Sequence, residues 1–179
     1  MPRIPYVPID LAEPAEVVSA IRARRGGQLS HLDRLLLYSP ALASGWNTFL
    51  GAVRTKLSLS PKLRELAMCG VAVLNGAEYE FHHHAPEFVK AGGTKAQVDA
   101  MRDVQAAVDN AKLFGDAERA TLSMTLEMTR SVEVSDATFA RAVKTLGSTQ
   151  QVIELVAVIA CYNMVSRFLV ALQVQPETK

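Results

Sequence analysis

The feature that most constrains this chain is its regular punctuation by helix starts and stops. Ser60-Pro61 combines an N-cap serine with a proline in the first helical turn, and Gly92-Gly93 supplies a stop signal. Thr94-Lys-Ala-Gln97 has the spacing of a capping box that opens another helix. No segment shows the period-two alternation of strands, and no internal repeat is visible. The punctuation therefore predicts an all-α fold.

Nine segments carry helical composition between such signals. They are residues 12–25, 29–38, 40–56, 61–74, the motif segment between the break at Asn75-Gly76 and the stop at Gly92-Gly93, and residues 95–104, 116–130, 135–146 and 149–173. In the third of these segments Trp46, Phe49, Leu50 and Val53 recur at i, i+3, i+4 and i+7. This spacing predicts a stripe that faces the core.

The N-terminal section differs from the rest. Three prolines in the first ten residues predict an extended arm, which must lie on its own protein or on a neighbouring subunit to be ordered. We expect residues 1–45 to pack on the core or on a neighbour, and residues 46–179 to form the main helical domain. At 179 residues with 49% hydrophobic side chains, the two together are expected to form one compact unit.

Charge and hydropathy exclude several classes of function. A net charge of +1 gives no sign of a nucleic-acid partner or of a membrane surface as partner. The most apolar stretch, residues 152–172, contains Glu154, Asn163 and Arg167, and its longest uncharged piece has 12 residues. A bilayer span needs about 20, so we expect a buried helix of a soluble protein. The N-terminus has no apolar core of a signal peptide.

The two cysteines, Cys69 and Cys161, are far apart and form no C-x-x-C pair. Each lies in an apolar helical pattern, where cysteine usually behaves as a small buried hydrophobe. Two such cysteines make no disulfide framework, which favours a reducing compartment and a cytoplasmic protein.

The chemistry of the chain is concentrated in the run Asn75-Gly-Ala-Glu-Tyr-Glu-Phe-His-His-His84. On a helix, Glu80 and His84 lie four residues apart on one face, and Tyr79 and His83 form a second such pair. Glu65 lies on the preceding helix and reaches this cluster only if the two helices pack closely. Close packing would make a small acid–base site, and separation would leave a polar surface.

A metal site is a minor alternative. Glu80 and His83 have the Glu-x-x-His spacing of di-iron bundles, but those bundles use two such motifs and further glutamates. No histidine follows His84, so no second motif exists. A mononuclear site formed by Glu65, Glu80 and His84 stays open as an alternative, and we predict no resident metal.

The segment from Leu59 to Gly93 resembles the carboxymuconolactone decarboxylase family, which includes the alkylhydroperoxidase-D-like proteins. The resemblance lies in Leu-Ser-Pro-Lys-Leu-Arg-Glu65-Leu, in Asn-Gly-Ala-Glu-Tyr79-Glu80, in Phe81 and His84, and in the Ala-Gly-Gly that ends the helix. It implies a multi-helix bundle of one domain. It also implies a homo-oligomer, either a dimer, a trimer or a hexamer.

Within the family the chemistry divides on cysteine. Peroxidase members carry a C-x-x-C pair whose two positions correspond here to Ala77 and Glu80. The resemblance therefore disfavours alkylhydroperoxidase or peroxiredoxin-type antioxidant activity, with Cys69 as a remote one-cysteine candidate. It favours the decarboxylase-like branch, a lyase or isomerase that needs no cofactor and acts on a small carboxylate- or lactone-type substrate.

The resemblance also implies roles for the site residues. Glu80 would orient His84, which would shuttle the proton, while Glu65 would act as a second acid or relay. Tyr79 would donate a hydrogen bond to a developing enolate oxygen. Arg167 would anchor a substrate carboxylate. The substrate-binding set is Arg167, Asn163 and His83.

Each role has a structural alternative. The Glu80–His84 pair would equally suit a hydrogen bond between packed helices, and Tyr79 a half-buried position. At least one of His82 and His83 is expected to be solvated. Arg167 would equally pair with a buried carboxylate such as Glu127 or Glu154. A non-catalytic oligomer that binds a ligand is the remaining alternative.

Overall fold

The computed structural model of the protein describes residues 1–177, so the last two residues of the predicted 46–179 domain lie outside the described residues. Residues 1–177 contain helices and no strand, which confirms the all-α prediction. The helices in chain order are α1 (Ala15–Arg24), α2 (His31–Leu36), α3 (Pro40–Thr55), α4 (Pro61–Leu74), α5 (Glu78–Lys90), α6 (Lys95–Ala100), α7 (Val104–Asp109), α8 (Asp116–Arg130), α9 (Asp136–Leu146) and α10 (Thr149–Leu172).

Two compact units are distinguished by their internal contacts. One comprises Met1–Lys56 together with the end of the chain from Ala171 on, and the other comprises Leu57–Val170. The predicted division at residue 45 and the prediction of one compact unit are not tested by this grouping and stay predictions.

In the first unit, the Pro-rich arm lies against its own chain. The Arg3 backbone N–H donates to the Leu172 carbonyl at 3.0 Å, and the Tyr38 hydroxyl donates to the Pro5 carbonyl at 2.9 Å. The Tyr6 ring stacks on His31 with centroids 4.1 Å apart. The arm is thus held by one backbone hydrogen bond, one hydrogen bond from a tyrosine side chain and one ring contact within the same unit.

The predicted stripe of α3 is correct except for Phe49. Trp46, Leu50 and Val53 are buried, whereas Phe49 remains 49% exposed. Positions i and i+3 differ by about 300° around a helix, so Phe49 falls at the edge of the buried face. The i, i+3, i+4, i+7 spacing includes Phe49, but its side chain lies outside the core.

In the second unit, α4 is the central helix and packs against both α5 and α8. It is buried from Glu65 to Ala72 without interruption. Gly70 allows α8 to approach closely, because a Cβ atom there would lie 3.0 Å from the Thr125 methyl carbon. A helix buried on several sides explains why apolar residues follow one another in α4 instead of forming a narrow stripe.

The predicted boundaries of α4 and the predicted end of α5 are confirmed. The Ser60 hydroxyl accepts from the Leu63 N–H, and Pro61 occupies the first turn of α4. After α5, Gly92 adopts φ +97°, which glycine tolerates without strain. Gly93 lies under the Phe88 ring, where any Cβ atom would overlap the ring carbons.

One short helix was not predicted. Residues 104–109 form α7, whose N-cap Asp103 accepts a hydrogen bond from the Ala106 N–H at 2.9 Å. The sequence predicts that the preceding helix runs to Val104, whereas α6 ends at Ala100. The capping aspartate was the available signal for the new start.

Among the described residues, α10 is the one helix long and apolar enough to cross a membrane by length and composition. Its most apolar window has a mean hydropathy of 2.0, and half of that window is buried inside the structure. Core helices of soluble proteins meet the same criterion. The buried side of α10 includes the polar residues Asn163 and Ser166, which hydrogen-bond to other helices.

Candidate functional site

The centre of the site is a hydrogen bond between α4 and α5. His84 Nδ1 lies 2.7 Å from Glu65 Oε2, and the two residues are only 7% and 8% exposed. An ionised carboxylate can only accept, so Nδ1 carries the proton in this pairing and Nε2 is the basic nitrogen of the neutral ring. The close approach of the two helices, on which the acid–base interpretation of the sequence depended, is present.

Glu65 also has a cation beside it. Arg64 Nε lies 4.0 Å from Glu65 Oε1, and both side chains are nearly buried. Glu65 is therefore hydrogen-bonded to the imidazole through one oxygen and lies within ion-pair distance of a guanidinium through the other. The sequence predicted Glu65 as a second acid or relay. In the structure Glu65 is the carboxylate bonded to His84 Nδ1.

Glu80, which was expected to orient His84, makes a hydrogen bond to α10. Its Oε1 accepts from the Ser166 hydroxyl at 3.0 Å, and both residues are almost completely buried. The Tyr162 ring, on the same helix, meets the His84 ring edge-on with centroids 4.9 Å apart. The Glu65 carboxylate is thus bonded to a residue of α5, and the Glu80 carboxylate to a residue of α10.

Two residues of the site, Ser166 and Tyr162, were not predicted from the sequence. They lie four apart on α10 and therefore share a face, and that face meets Glu80 and His84. Their spacing was visible in the sequence, but nothing in the sequence indicated that this face of α10 meets α5.

The other side of α5 is exposed to solvent. His82 and His83 are both exposed, as expected for at least one of them. The predicted Tyr79–His83 pair is present, with ring centroids 4.5 Å apart. Tyr79 is only 6% exposed, so the half-buried alternative for it was wrong.

Asn163 is the centre of a buried polar network. Its amide NH₂ donates to Thr129 Oγ1 and to the Ile159 carbonyl, each at 3.0 Å. Its Oδ1 accepts from Asn75 at 3.0 Å and from Arg167 at 2.9 Å. The network joins the C-terminal cap of α4 to α8 and α10, so Asn163 fixes the positions of the helices around the site.

Arg167 is exposed and donates to the Asn163 side chain and carbonyl. The two carboxylates considered as alternative partners of Arg167, Glu127 and Glu154, accept hydrogen bonds from other residues. Hydrogen bonds from Thr138 and Ser135 outweigh the effect of burial and lower the pKa of Glu127. In the same way, bonds from Gln150, Ser58 and Leu59 outweigh burial and lower the pKa of Glu154.

Cys69 lies next to this site and is completely buried. Burial raises the pKa of its thiol strongly, the negative charges of Glu65 and Glu80 raise it further, and Arg102 opposes them in part. The thiolate is the reactive form of cysteine, so this position suppresses thiol chemistry. Among residues 1–177, Cys69 and Cys161 are both unbridged and buried.

No group of three or more His, Cys, Asp or Glu side chains in residues 1–177 has the arrangement of a metal site. The mononuclear alternative with Glu65, Glu80 and His84 therefore has no support from the geometry of the described residues. What the arrangement can do chemically is bind, orient and exchange a proton through His84.

The fold and site together define a class: a helical bundle with a buried carboxylate–histidine pair between adjacent helices. Residues 40–127 match the model of the Carboxymuconolactone decarboxylase family, a stretch that contains Glu65, Tyr79, Glu80 and His84. Over these residues the chain is similar to the carboxymuconolactone decarboxylase family, as the sequence motifs predicted. No curated protein matches the chain.

Solved structures share the fold at low sequence identity. An uncharacterized peroxidase-related protein from Silicibacter sp. TM1040 has a TM-score of 0.80 at 14% identity, covering 99% of this chain and 92% of that one. An alkylhydroperoxidase AhpD core protein from Ralstonia eutropha JMP134, also uncharacterized and peroxidase-related, scores 0.80 at 18% identity, covering 98% and 92%. The debrominase Bmp8, in a cysteine-to-alanine variant with 2,3,4-tribromopyrrole, scores 0.78 at 18% identity, covering 97% and 90%.

Proposed function

We propose that this protein is a cytoplasmic enzyme that performs cofactor-free acid–base chemistry on a small carboxylate- or lactone-type compound, by decarboxylation or isomerisation. The observation that carries the proposal is the buried 2.7 Å contact between His84 Nδ1 and Glu65 Oε2. A carboxylate on one ring nitrogen fixes the ring and stabilises the imidazolium that forms when the other nitrogen takes a proton.

In the decarboxylation of a β-keto or vinylogous acid, the carbon–carbon bond to the carboxylate breaks and carbon dioxide leaves. The electron pair remains as an enolate, and His84, protonated at Nε2 by solvent water, donates that proton to the enolate carbon. In an isomerisation, neutral His84 removes a proton from one carbon and returns it to a conjugated carbon. Neither sequence needs an external electron donor or acceptor.

The other residues would supply binding and charge stabilisation. Tyr79 would donate to the enolate oxygen, and Arg167, whose bonds to Asn163 both come from Nη1, would hold the substrate carboxylate through Nε and Nη2. Asn163 would keep Arg167 in place, and His83 would contact the substrate from the exposed side of α5. A homo-oligomer remains part of the proposal.

The antioxidant alternative requires a thiolate. Neither Ala77 nor Glu80 supplies a thiol, and the environment of Cys69 raises the pKa of its own thiol. Ligand binding without catalysis is the other alternative, and it has no need for a histidine oriented by a buried carboxylate.

Proton exchange in D₂O tests the proposal over a whole class of candidate substrates at once. The protein is incubated with a panel of β-keto acids and unsaturated γ-lactone carboxylates, and deuterium incorporation and carbon dioxide release are followed. We expect wild type and Cys69→Ser to act equally on one compound class. The proposal fails if no compound exchanges, or if dithiothreitol-dependent peroxide reduction is found and is lost in Cys69→Ser.

A further inference from the structure

A second concave site lies in the unit that contains α4, α7 and α8, away from the Glu65–His84 pair. It has a volume of about 430 Å³, within the range of small-molecule pockets. Its walls come from the C-terminal end of α4, the start of α7 and the last two turns of α8. Glu65 and Val73 are eight residues apart on α4, so roughly 12 Å of helix separates the two sites.

Gln105 adds a polar side chain to a cavity that has one aliphatic wall. This wall is formed by Val73, Leu74, Val104 and Leu126, of which Val104 belongs to the core. These side chains offer no hydrogen bond, so the part of a ligand that lies on them must be apolar. An inorganic anion or a polyphosphate would leave this surface without a complementary group.

The rim of the cavity carries two arginines. Arg130 is exposed in the last turn of α8 and has no ion pair within residues 1–177. Arg102 lies 3.8 Å above the Phe81 ring and contacts the Glu78 carboxylate at 2.9 and 3.2 Å. Both residues of the Arg102–Glu78 pair are largely exposed, and exposed ion pairs contribute little, so an incoming carboxylate can replace Glu78.

One carboxylate also lines the cavity, that of Asp103, but it is engaged as the N-cap of α7 by the Ala106 N–H. Two guanidinium groups thus stand beside two carboxylates, Glu78 and the capped Asp103, and Arg130 is the guanidinium without an ion pair within residues 1–177. Arg130 lies at the rim of an aliphatic wall, which suits an anion with an apolar body.

We propose that this arginine-rimmed cavity binds a small amphipathic carboxylate, such as an aryl or short alkyl acid, at a site separate from the Glu65–His84 pair. The carboxylate would pair with Arg130 and Arg102, and the apolar body would lie on the aliphatic wall. The inference does not depend on the catalytic proposal, because none of the residues that line the cavity belongs to the predicted site.

Sodium benzoate is the probe, with benzyl alcohol as a neutral analogue of similar shape. Titration of the ¹⁵N-labelled full chain is followed by amide shifts and by calorimetry. We expect saturable shifts centred on Val73, Leu74, Val104 and Leu126, and an affinity for benzyl alcohol at least about tenfold weaker.

Variants locate the binding. Arg130→Gln removes an exposed charge, so it should fold normally and weaken benzoate binding about tenfold or more. Arg141→Gln, an arginine substitution on α9, should leave the affinity unchanged, and so should His84→Gln. The inference is overturned by absence of saturation, by wild-type affinity in Arg130→Gln, or by shifts centred on α5 that disappear in His84→Gln.

Discussion

The two sides of α5 have almost the same chemistry in sequence and very different surroundings in the fold. His84 is 7% exposed and bonded to Glu65, whereas His83, its immediate neighbour, is exposed and packs on Tyr79. A buried imidazole bonded to a carboxylate can carry a proton at a defined nitrogen, whereas the His83 ring is open to solvent. Function therefore follows from which face of the helix meets α4 and α10, and residue type alone does not determine it.

The largest effect should separate the two histidines. His84→Gln is expected to reduce turnover of the substrate class found by D₂O exchange by about 10²- to 10⁴-fold, the usual contribution of general acid–base catalysis. His83→Gln should change the rate constant much less, with any effect mainly on KM. Equal losses in kcat from the two variants would contradict the distinction between buried His84 and exposed His83.

The partner of His84 should have the next largest effect. Glu65→Gln keeps the shape but replaces a charge-assisted hydrogen bond of about 1.5–3 kcal/mol with a neutral one of about 0.5–1.5 kcal/mol, and the difference corresponds to roughly a fivefold to tenfold loss in rate. Glu87→Gln on α5 is the matched control, because Glu87 pairs with Lys90 at the surface. If both variants keep full rates, Glu65 is only a structural residue.

The contact with α10 predicts a loss of stability. Ser166→Ala removes the buried donor to Glu80 Oε1 and should lower the free energy of unfolding by about 1–3 kcal/mol. Chemical denaturation of this variant is compared with Ser44→Ala, whose serine is exposed on α3. Equal free energies of unfolding would mean that the Ser166–Glu80 hydrogen bond contributes nothing to stability.

The smallest effect is expected for Glu127, a more exposed carboxylate, as a change in thermal stability that depends on pH. The folded state lowers the pKa of Glu127 below its ordinary value of 4.5, so ionised Glu127 stabilises the fold above that pH. The contribution is lost as the pH falls through the lowered pKa. Glu127→Gln should therefore lower Tm at pH 7, and the difference from wild type should shrink below pH 4.5. Glu133→Gln, an exposed control, should show no such trend.

The helices around the site could be predicted because their signals are local. Ser60-Pro61 and Gly92-Gly93 mark boundaries through capping and backbone conformation, and the i,i+4 spacing of Glu80 and His84 follows from helix geometry. The family resemblance, which the match of residues 40–127 confirms, added the relation of Glu65 to the motif.

The pairing of side chains between helices could not be read from the sequence in the same way. Helical periodicity identifies the apolar face of α10 but carries no information on which helix that face meets. Ser166 and Tyr162 were missed for this reason, and the bond between Glu65 and His84 Nδ1 could be predicted only on the condition that the two helices pack closely. Interhelical geometry decides which side chains of two neighbouring helices meet.

The most direct test of the central claim is the ¹⁵N spectrum of the imidazole side chains, which needs no substrate. The signal of His84 is assigned by its loss in His84→Gln, with His83→Gln as the neighbouring control. We predict that neutral His84 carries its proton on Nδ1, and that Glu65→Gln shifts this signal while leaving that of His83 unchanged. A proton on Nε2, or a His84 signal insensitive to Glu65→Gln, would contradict the pairing of His84 with Glu65.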